Sequence, residues 1–396
     1  MYERKGEFKA LRKLLCALSF LLLISFLPVP AHAQEESYAT LIAVGDNLYH
    51  EKVINSGKQE DGSYNFDAVY ANVKSYIQGA DIRVINQEVV LSGDESKWGG
   101  FPSFACPLEV GDAVVRAGFN VVTHATNHSW DRGRDGAMET IAYWKSQKSV
   151  LLTGMYDCQE DYDSIDVGEY NGIRVAFLNY TYGLNGSVLP KDGKFMVKLL
   201  NMDLVKSDIA KAREVADVVI VFPHWGEEYK NEPNASQKAM AQQMADAGAD
   251  LIIGCHPHVI QPLENIVSSS GKNVPCFYSL GNFVANMIRA EKCVEAMAKV
   301  RIHKVGDKVT IDSAQAIPMV NFMDVATKFY TVYMADDYTE EIAKLHANGG
   351  LKPWVVDDIW DKVFKDYDCR YCSGLIVKRK KWKLKLFPIE WSFFKR

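Results

Sequence analysis

Short apolar runs alternate with stretches whose apolar residues recur every three or four positions, from residue 40 to about residue 325. Residues 40–44 read as a strand ending at Gly45-Asp46. In 66–78, Phe66, Val69, Tyr70, Val73 and Ile77 fall on one helical face. Strands follow at 81–86, 119–123 and 150–152, with helices between them at 108–117, closed by Gly118, and at 137–145. Residues 166–170 and 173–180 flank Asn171-Gly172, a dipeptide that favours two-residue hairpin turns. Helices at 203–215 and 236–247 then alternate with strands at 218–222, 251–253 and 274–278, and 300–303 with 309–313 predicts a second hairpin. Strand–helix alternation with inserted hairpins specifies a layered α/β domain with mixed sheets.

The two ends differ from this middle. Arg4, Lys5, Lys9, Arg12 and Lys13 precede an apolar run over 14–29, and Ala31-His32-Ala33 closes it. That is the layout of a secretory signal peptide, and the shortness of the run favours cleavage over a retained anchor. Residues 1–33 are therefore read as a signal, 34–325 as the main domain and 326–396 as a C-terminal extension. The expected location is outside the cytoplasm, extracellular or associated with the cell envelope. Residues 378–396 hold eight basic residues and one acidic residue, interleaved with Trp382, Phe387, Trp391, Phe393 and Phe394. Such a tail suits an anionic surface, a membrane or a polyanion. The alternation over 381–386 is equally that of a half-buried final strand.

Composition narrows the class. With 48% hydrophobic and 24% charged residues the chain is globular rather than disordered. The net charge of −5 gives no footprint for nucleic acid, so none is expected as a partner. Removal of the signal leaves seven of the eight cysteines, an odd number, so at least one thiol stays free or pairs between chains. Cys369-x-x-Cys372 has no second pair, which leaves a disulfide or half of a metal site open.

Polar residues of one chemical kind collect where the strands end. Asp46 follows the first strand, Asn86-Gln87-Glu88 the second and Thr126-Asn127-His128 the third. His224 and the His256-Pro257-His258 loop follow later strands. Open α/β sheets bind ligands beyond the carboxyl ends of their strands, so these loops are expected to meet at one cleft. Carboxylates, an amide oxygen and imidazoles form a donor set for a borderline divalent ion such as manganese, zinc or iron. In an extended loop His256 and His258 project alike, toward one cavity.

The ordered blocks resemble a known family. These are Gly45-Asp46, Asn86-Gln87-Glu88, Asn127-His128-Ser129-Trp130-Asp131-Arg132-Gly133, His224-Trp225-Gly226-Glu227-Glu228-Tyr229, His256-Pro257-His258 and Tyr278-Ser279-Leu280-Gly281-Asn282-Phe283. They are similar to the calcineurin-like metallophosphoesterase superfamily and, within it, to the CapA-like proteins of capsule and poly-γ-glutamate synthesis. The resemblance implies a four-layer αββα sandwich and a centre for one or two divalent ions. It implies Asp46, Glu88, Asn127, His224, His256 and His258 as ligands, and His128 with Asp131 as catalytic groups. Arg132, Glu227, Glu228, Tyr229, Ser279 and Asn282 are the expected substrate-side or supporting positions. It further implies an anionic envelope polymer such as poly-γ-glutamate, and membrane-associated synthesis proteins, as partners. Leu48 stands where phosphoesterases carry a histidine, and Glu88 where they carry aspartate. These departures favour the capsule branch over an exported metal-dependent phosphoesterase. A non-catalytic polymer-binding scaffold is the third reading.

Overall fold

A computed structural model of the chain describes residues 35–364 and the strand Leu375–Val377. The signal expected at 1–33, the Cys369/Cys372 pair and the basic tail at 378–396 lie outside the described residues.

Two mixed sheets form the centre of the molecule. The first runs in the order Phe329–Met334, Lys308–Asp324, Val294–Val305, Glu36–Asn47, Ile82–Gln87, Val121–Thr123 and Leu151–Thr153. Asn282–Val284 joins the end of its central strand, with Asp46 opposite Asn282. The second sheet runs Leu263–Val267, Asn273–Phe277, Leu251–Ile253, Val218–His224, Ile173–Thr181 and Asp166–Tyr170.

Strand alternation explains the layering. Leu41 and Ala43 face the second sheet, whose Val175, Phe177, Val218 and Ile220 complete the same buried cluster. Ile42 and Val44 face away, onto Val69, Tyr70, Val110 and Val114 of the helices covering the first sheet. On the second sheet, Ala176, Leu178, Val219 and Val221 face outward onto Ile209, Ala212, Ala241 and Met244 of the helices Met202–Val215 and Ala235–Ala247. Residues of opposite parity thus feed an inner core and two outer ones, which makes four layers, αββα. Each fully buried aliphatic side chain contributes about 1.5–3 kcal/mol.

Several expected elements differ in detail. The helix expected over 66–78 divides into Asp67–Tyr70 and Lys74–Gln78, although all five of its apolar-face residues are buried. The Thr331 hydroxyl donates to the Ala68 carbonyl at 2.7 Å and accepts from Asn72 Nδ2 at 3.0 Å. A tertiary contact thereby takes the carbonyl that a continuous helix would use. Asn171 and Gly172 have φ of 53° and 77°, and Tyr170 pairs with Ile173, as a two-residue turn requires. The second hairpin extends well past its expected ends, to Val294–Val305 and Lys308–Asp324, because its inner stretches are buried on both faces. Of the helix expected at 340–346, Glu340–Ala343 is helical. The helix Pro353–Phe364, unforeseen in the sequence, places Val356, Trp360 and Val363 in the core between the sheets. All five cysteines among the described residues are free. No helix among the described residues is long and apolar enough to cross a membrane.

Candidate metal centre

The central strands run parallel, so their carboxyl ends open on one side. Asp46 reaches this edge through an irregularity. Ala43 faces the second sheet and Val44 the helices, so strict alternation would turn Asp46 toward the helices. The register shifts between Val44 and Asp46, re-aiming the side chain. Gly45 permits this because a Cβ there would lie 2.0 Å from the Gly281 carbonyl oxygen. Asp46 Oδ2 then meets His258 Nδ1 at 3.0 Å and accepts the His256 backbone N–H at 3.2 Å. Its other oxygen accepts from Asn86 Nδ2 at 2.7 Å.

Glu88 projects into the middle of the histidines. Its Oε1 is 3.8 Å from His224 Nε2 and 3.7 Å from His258 Nε2. Thr126 Oγ1 donates to the Glu88 carbonyl at 2.6 Å and so fixes the next loop against it. In that loop Asn127 Oδ1 sits 2.9 Å from His224 Nε2. The six expected ligands are therefore adjacent and all buried. One donor atom from each of Asp46, Glu88 and His258 lies within 4.8 Å of the others, and the same holds for Glu228, His256 and His258.

The His256-Pro257-His258 loop departs from expectation. It is not extended, since φ is 100° at His256 and 56° at His258. Two left-handed residues around a proline bring the rings to 5.8 Å between centroids. Each such conformation costs on the order of 1–3 kcal/mol and persists only where its surroundings enforce it. Ser279 and Asn282 supply that enforcement. Ser279 Oγ donates to the Val259 carbonyl at 2.8 Å, and Asn282 Nδ2 to the His258 carbonyl at 3.2 Å.

Burial dominates the electrostatics of this donor set. Neither Glu88 oxygen has a hydrogen-bond partner among the described residues, and the side chain is fully buried. Burial, then the charges of Asp46, Glu228 and Asp131, push its carboxyl well above the usual range. Burial, then His256 and His258, push His224 well down. His256 falls to about 3, first through burial and then through His258. The Nδ1 atoms of His224 and His256 also lack partners among the described residues. A buried polar atom without a partner costs about 1–3 kcal/mol, and more when charged. The unpartnered Glu88 oxygens, clustered with Asp46 and His258, fit a divalent ion. The other acidic group, Asp157, Cys158 and Asp161, has both carboxylates bound by Lys145 at 2.6 and 2.5 Å.

His128 lies beside the candidate ligands, with its ring edge-on to Phe104 at 4.6 Å. Its Nδ1 is 2.7 Å from Asp131 Oδ2, which also accepts the Phe104 backbone N–H at 2.6 Å. Arg132 is turned away from the centre. Its guanidinium donates to the Ser103 hydroxyl and carbonyl at 2.7 and 2.8 Å, so it anchors the 98–103 loop. Glu227, Glu228 and Tyr229 form an exposed rim. Leu48 packs in the helix-side core.

Other site-side residues gave little sequence signal. Asn185 reaches in from a loop of the second sheet, with Oδ1 3.1 Å from Asn127 Nδ2 and Nδ2 3.3 Å from His128 Nδ1. The Tyr182 ring lies 4.6 Å from His256. His50 accepts the Asn286 N–H on Nδ1 at 3.2 Å and lies within electrostatic reach of His258 and His128. Buried Glu295 accepts the Asn282 N–H at 2.6 Å. A motif reading could have flagged only His50, because the others arrive by loop packing.

His124 gives a pH prediction. It is fully buried, neither ring nitrogen has a partner among the described residues, and burial lowers its pKa to about 4. The unfolded chain, with a histidine pKa of about 6.5, takes up a proton in that window that the folded chain refuses. Stability is therefore highest above pH ~6.5 and falls toward pH ~4, at up to ~1.4 kcal/mol per pH unit from this residue. Denaturant midpoints near pH 7 and pH 5 are expected to differ less in His124→Leu than in the wild type. An unchanged difference would remove His124 as the source.

Comparison with known proteins agrees with the order of the blocks. The family described as "Bacterial capsule synthesis protein PGA_cap" matches residues 40–287, which contain every residue of the centre. The chain is 34% identical over 264 residues to the capsule biosynthesis protein CapA of Bacillus anthracis, covering 64% of this chain and 62% of that protein. It is 31% identical over 214 residues to the PGA biosynthesis protein CapA of Bacillus subtilis, covering 50% of this chain and 52% of that protein. It thus spans less than two thirds of the length of either relative. Among solved structures, the NAD nucleotidase of Haemophilus influenzae aligns with a TM-score of 0.48 and 12% identity, over 85% of this chain and 58% of that one. A phosphatase from Mycoplasma pneumoniae aligns with a TM-score of 0.43 and 18% identity, over 72% of this chain and 95% of that one. The match over 40–287 makes this chain a member of the bacterial capsule synthesis protein PGA_cap family.

Proposed function

We propose that this protein acts outside the cytoplasm in the synthesis or export of a capsule polymer of the poly-γ-glutamate kind, through a divalent-metal centre. The observation that carries the reading is the buried, unpartnered Glu88 carboxylate facing His224 and His258. Asp46, Glu88 and His258 would hold one ion, and Glu228, His256 and His258 can serve the same or a second one. Asn127 and His224 add donors beside them. The bound ion would supply Lewis acidity to polarise a scissile carbonyl or phosphoryl group.

The protein's own groups do the rest. Asp131 orients His128 through Nδ1, leaving Nε2 as the atom that hands a proton to the leaving group. Phe104 packs edge-on against that ring and helps hold its orientation. Leu48, where phosphoesterases carry a ligating histidine, is compatible with a narrower centre and weighs against general phosphatase activity. The partners in this reading are the acidic polymer and the membrane-associated proteins that make it.

The test is a substrate screen on the full chain loaded with manganese, zinc or ferrous iron. Metal-dependent cleavage or transfer of γ-linked glutamate oligomers, with little turnover of phosphoesters, is expected. Phosphoester turnover alone would replace this reading with a metal-dependent phosphoesterase. No turnover, with capsule production intact in cells carrying His256→Ala/His258→Ala, would replace it with a scaffold.

A further inference from the structure

The rim of the centre holds a cation whose position is set from two sides. Lys292 Nζ sits over the Tyr229 ring, 3.1 Å from its centroid. Tyr229 is itself fixed, because its φ is 65° and its N–H donates to the Pro257 carbonyl at 2.7 Å. Its ring lies 6.1 Å from that of His258. On the other side, Asn282 Nδ2 contacts the Lys292 carbonyl at 3.3 Å and the His258 carbonyl at 3.2 Å. One amide therefore ties the backbone of the cation to the backbone of the ligand loop. The aromatic seat holds the ammonium beside the histidines without neutralising it.

The seat lies among charges of both signs, with Glu291 exposed next to Lys292 and Glu227 and Glu228 exposed on the rim. Arg289, exposed on the same loop, adds a second positive charge, and together with burial it lowers the Lys292 pKa. Lys292 forms no ion pair with a carboxylate among the described residues. Glu228 raises the Lys292 pKa in the opposite sense, and it also belongs to the donor group with His256 and His258. Glu228, if engaged in holding an ion with His256 and His258, would leave Lys292 to face an incoming ligand.

We infer that Lys292, seated on Tyr229, is a specificity-determining residue of the rim that pairs with carboxylates of a chain laid across the centre. This rests on the reading that the centre acts on an envelope polymer, and it names the feature that selects for charge. Carboxylates flanking the reacting bond supply the contacts. A neutral polymer of the same backbone would lack them.

The test is binding of a fluorescently labelled γ-linked glutamate decamer to the manganese-loaded full chain, followed by anisotropy across a salt series. Lys292→Met is expected to weaken binding about tenfold, which corresponds to ~1.4 kcal/mol, and to flatten the salt dependence. Lys292→Arg is expected to restore most of both, and Tyr229→Leu to weaken binding by a smaller factor. Metal content is expected to be unchanged in the Lys292 variants, which separates this role from ligation. Wild-type binding that Lys292→Met leaves unaltered in affinity and salt slope would overturn the inference while leaving the polymer reading intact. Failure of the wild type to bind the decamer at all would overturn both.

Discussion

Glu88→Gln is expected to make the metal-free protein more stable than the wild type and to abolish the stabilisation that a divalent ion confers. Both halves follow from one carboxylate. Glu88 is fully buried and neither oxygen has a partner among the described residues. Its pKa is pushed up by burial first and then by Asp46, Glu228 and Asp131. A carboxyl raised in the folded state confers stability that is complete below the unfolded value of about 4.5 and is lost as pH rises through the folded value. At neutral pH the metal-free wild type therefore carries either a retained proton or a buried charge, the latter costing several kcal/mol. Glutamine removes that cost and cannot supply an anionic oxygen. Wild-type protein gains RT ln(1 + [L]/Kd) from the ion, about 4 kcal/mol at a thousandfold excess over Kd. Glu88→Gln is expected to gain under ~1 kcal/mol at the same concentration. Calorimetry with and without manganese checks this, and an equal metal-induced rise in Tm in both proteins would rule Glu88 out as a ligand.

His128→Ala is expected to lower kcat by about 10²–10⁴ with little change in KM, as for loss of a proton donor used in the transition state. Metal content is expected to stay at the wild-type level, because His128 lies outside the ligand group and its Nδ1 is engaged by Asp131 at 2.7 Å. Asp131→Asn is expected to fall between the two, since Phe104 packing still holds the ring. Steady-state kinetics on the best substrate from the screen, with elemental analysis of each variant, separates the roles. Loss of bound metal in His128→Ala would move this histidine from proton transfer to ligation.

The sequence made the layers and the meeting of the six candidate ligands legible for the same physical reason. Parallel strands buried on both faces read as apolar runs, and their ends must expose polar groups at one sheet edge. What it hid depends on tertiary contact. The shift that turns Asp46 inward comes from the close approach of Gly45 to Gly281, residues far apart in the chain. The left-handed turns at His256 and His258 depend on Ser279 and Asn282. Arg132 looked available for substrate, but its guanidinium is used by the Ser103 loop. Asn185, Tyr182 and Lys292 sit on loops that carry no periodic signal, so only packing brings them to the rim. The break in the helix near Ala71 likewise follows from Thr331, some 260 residues away.

Elemental analysis of the full chain, purified without chelator, beside His256→Ala/His258→Ala bears on the metal centre itself. One or two divalent ions per chain in the wild type, lost in the double variant, is the expected outcome. A wild-type protein that holds no ion, and takes up none on dialysis against manganese, zinc or ferrous iron, would refute the metal centre and leave polymer binding as the role of the cleft.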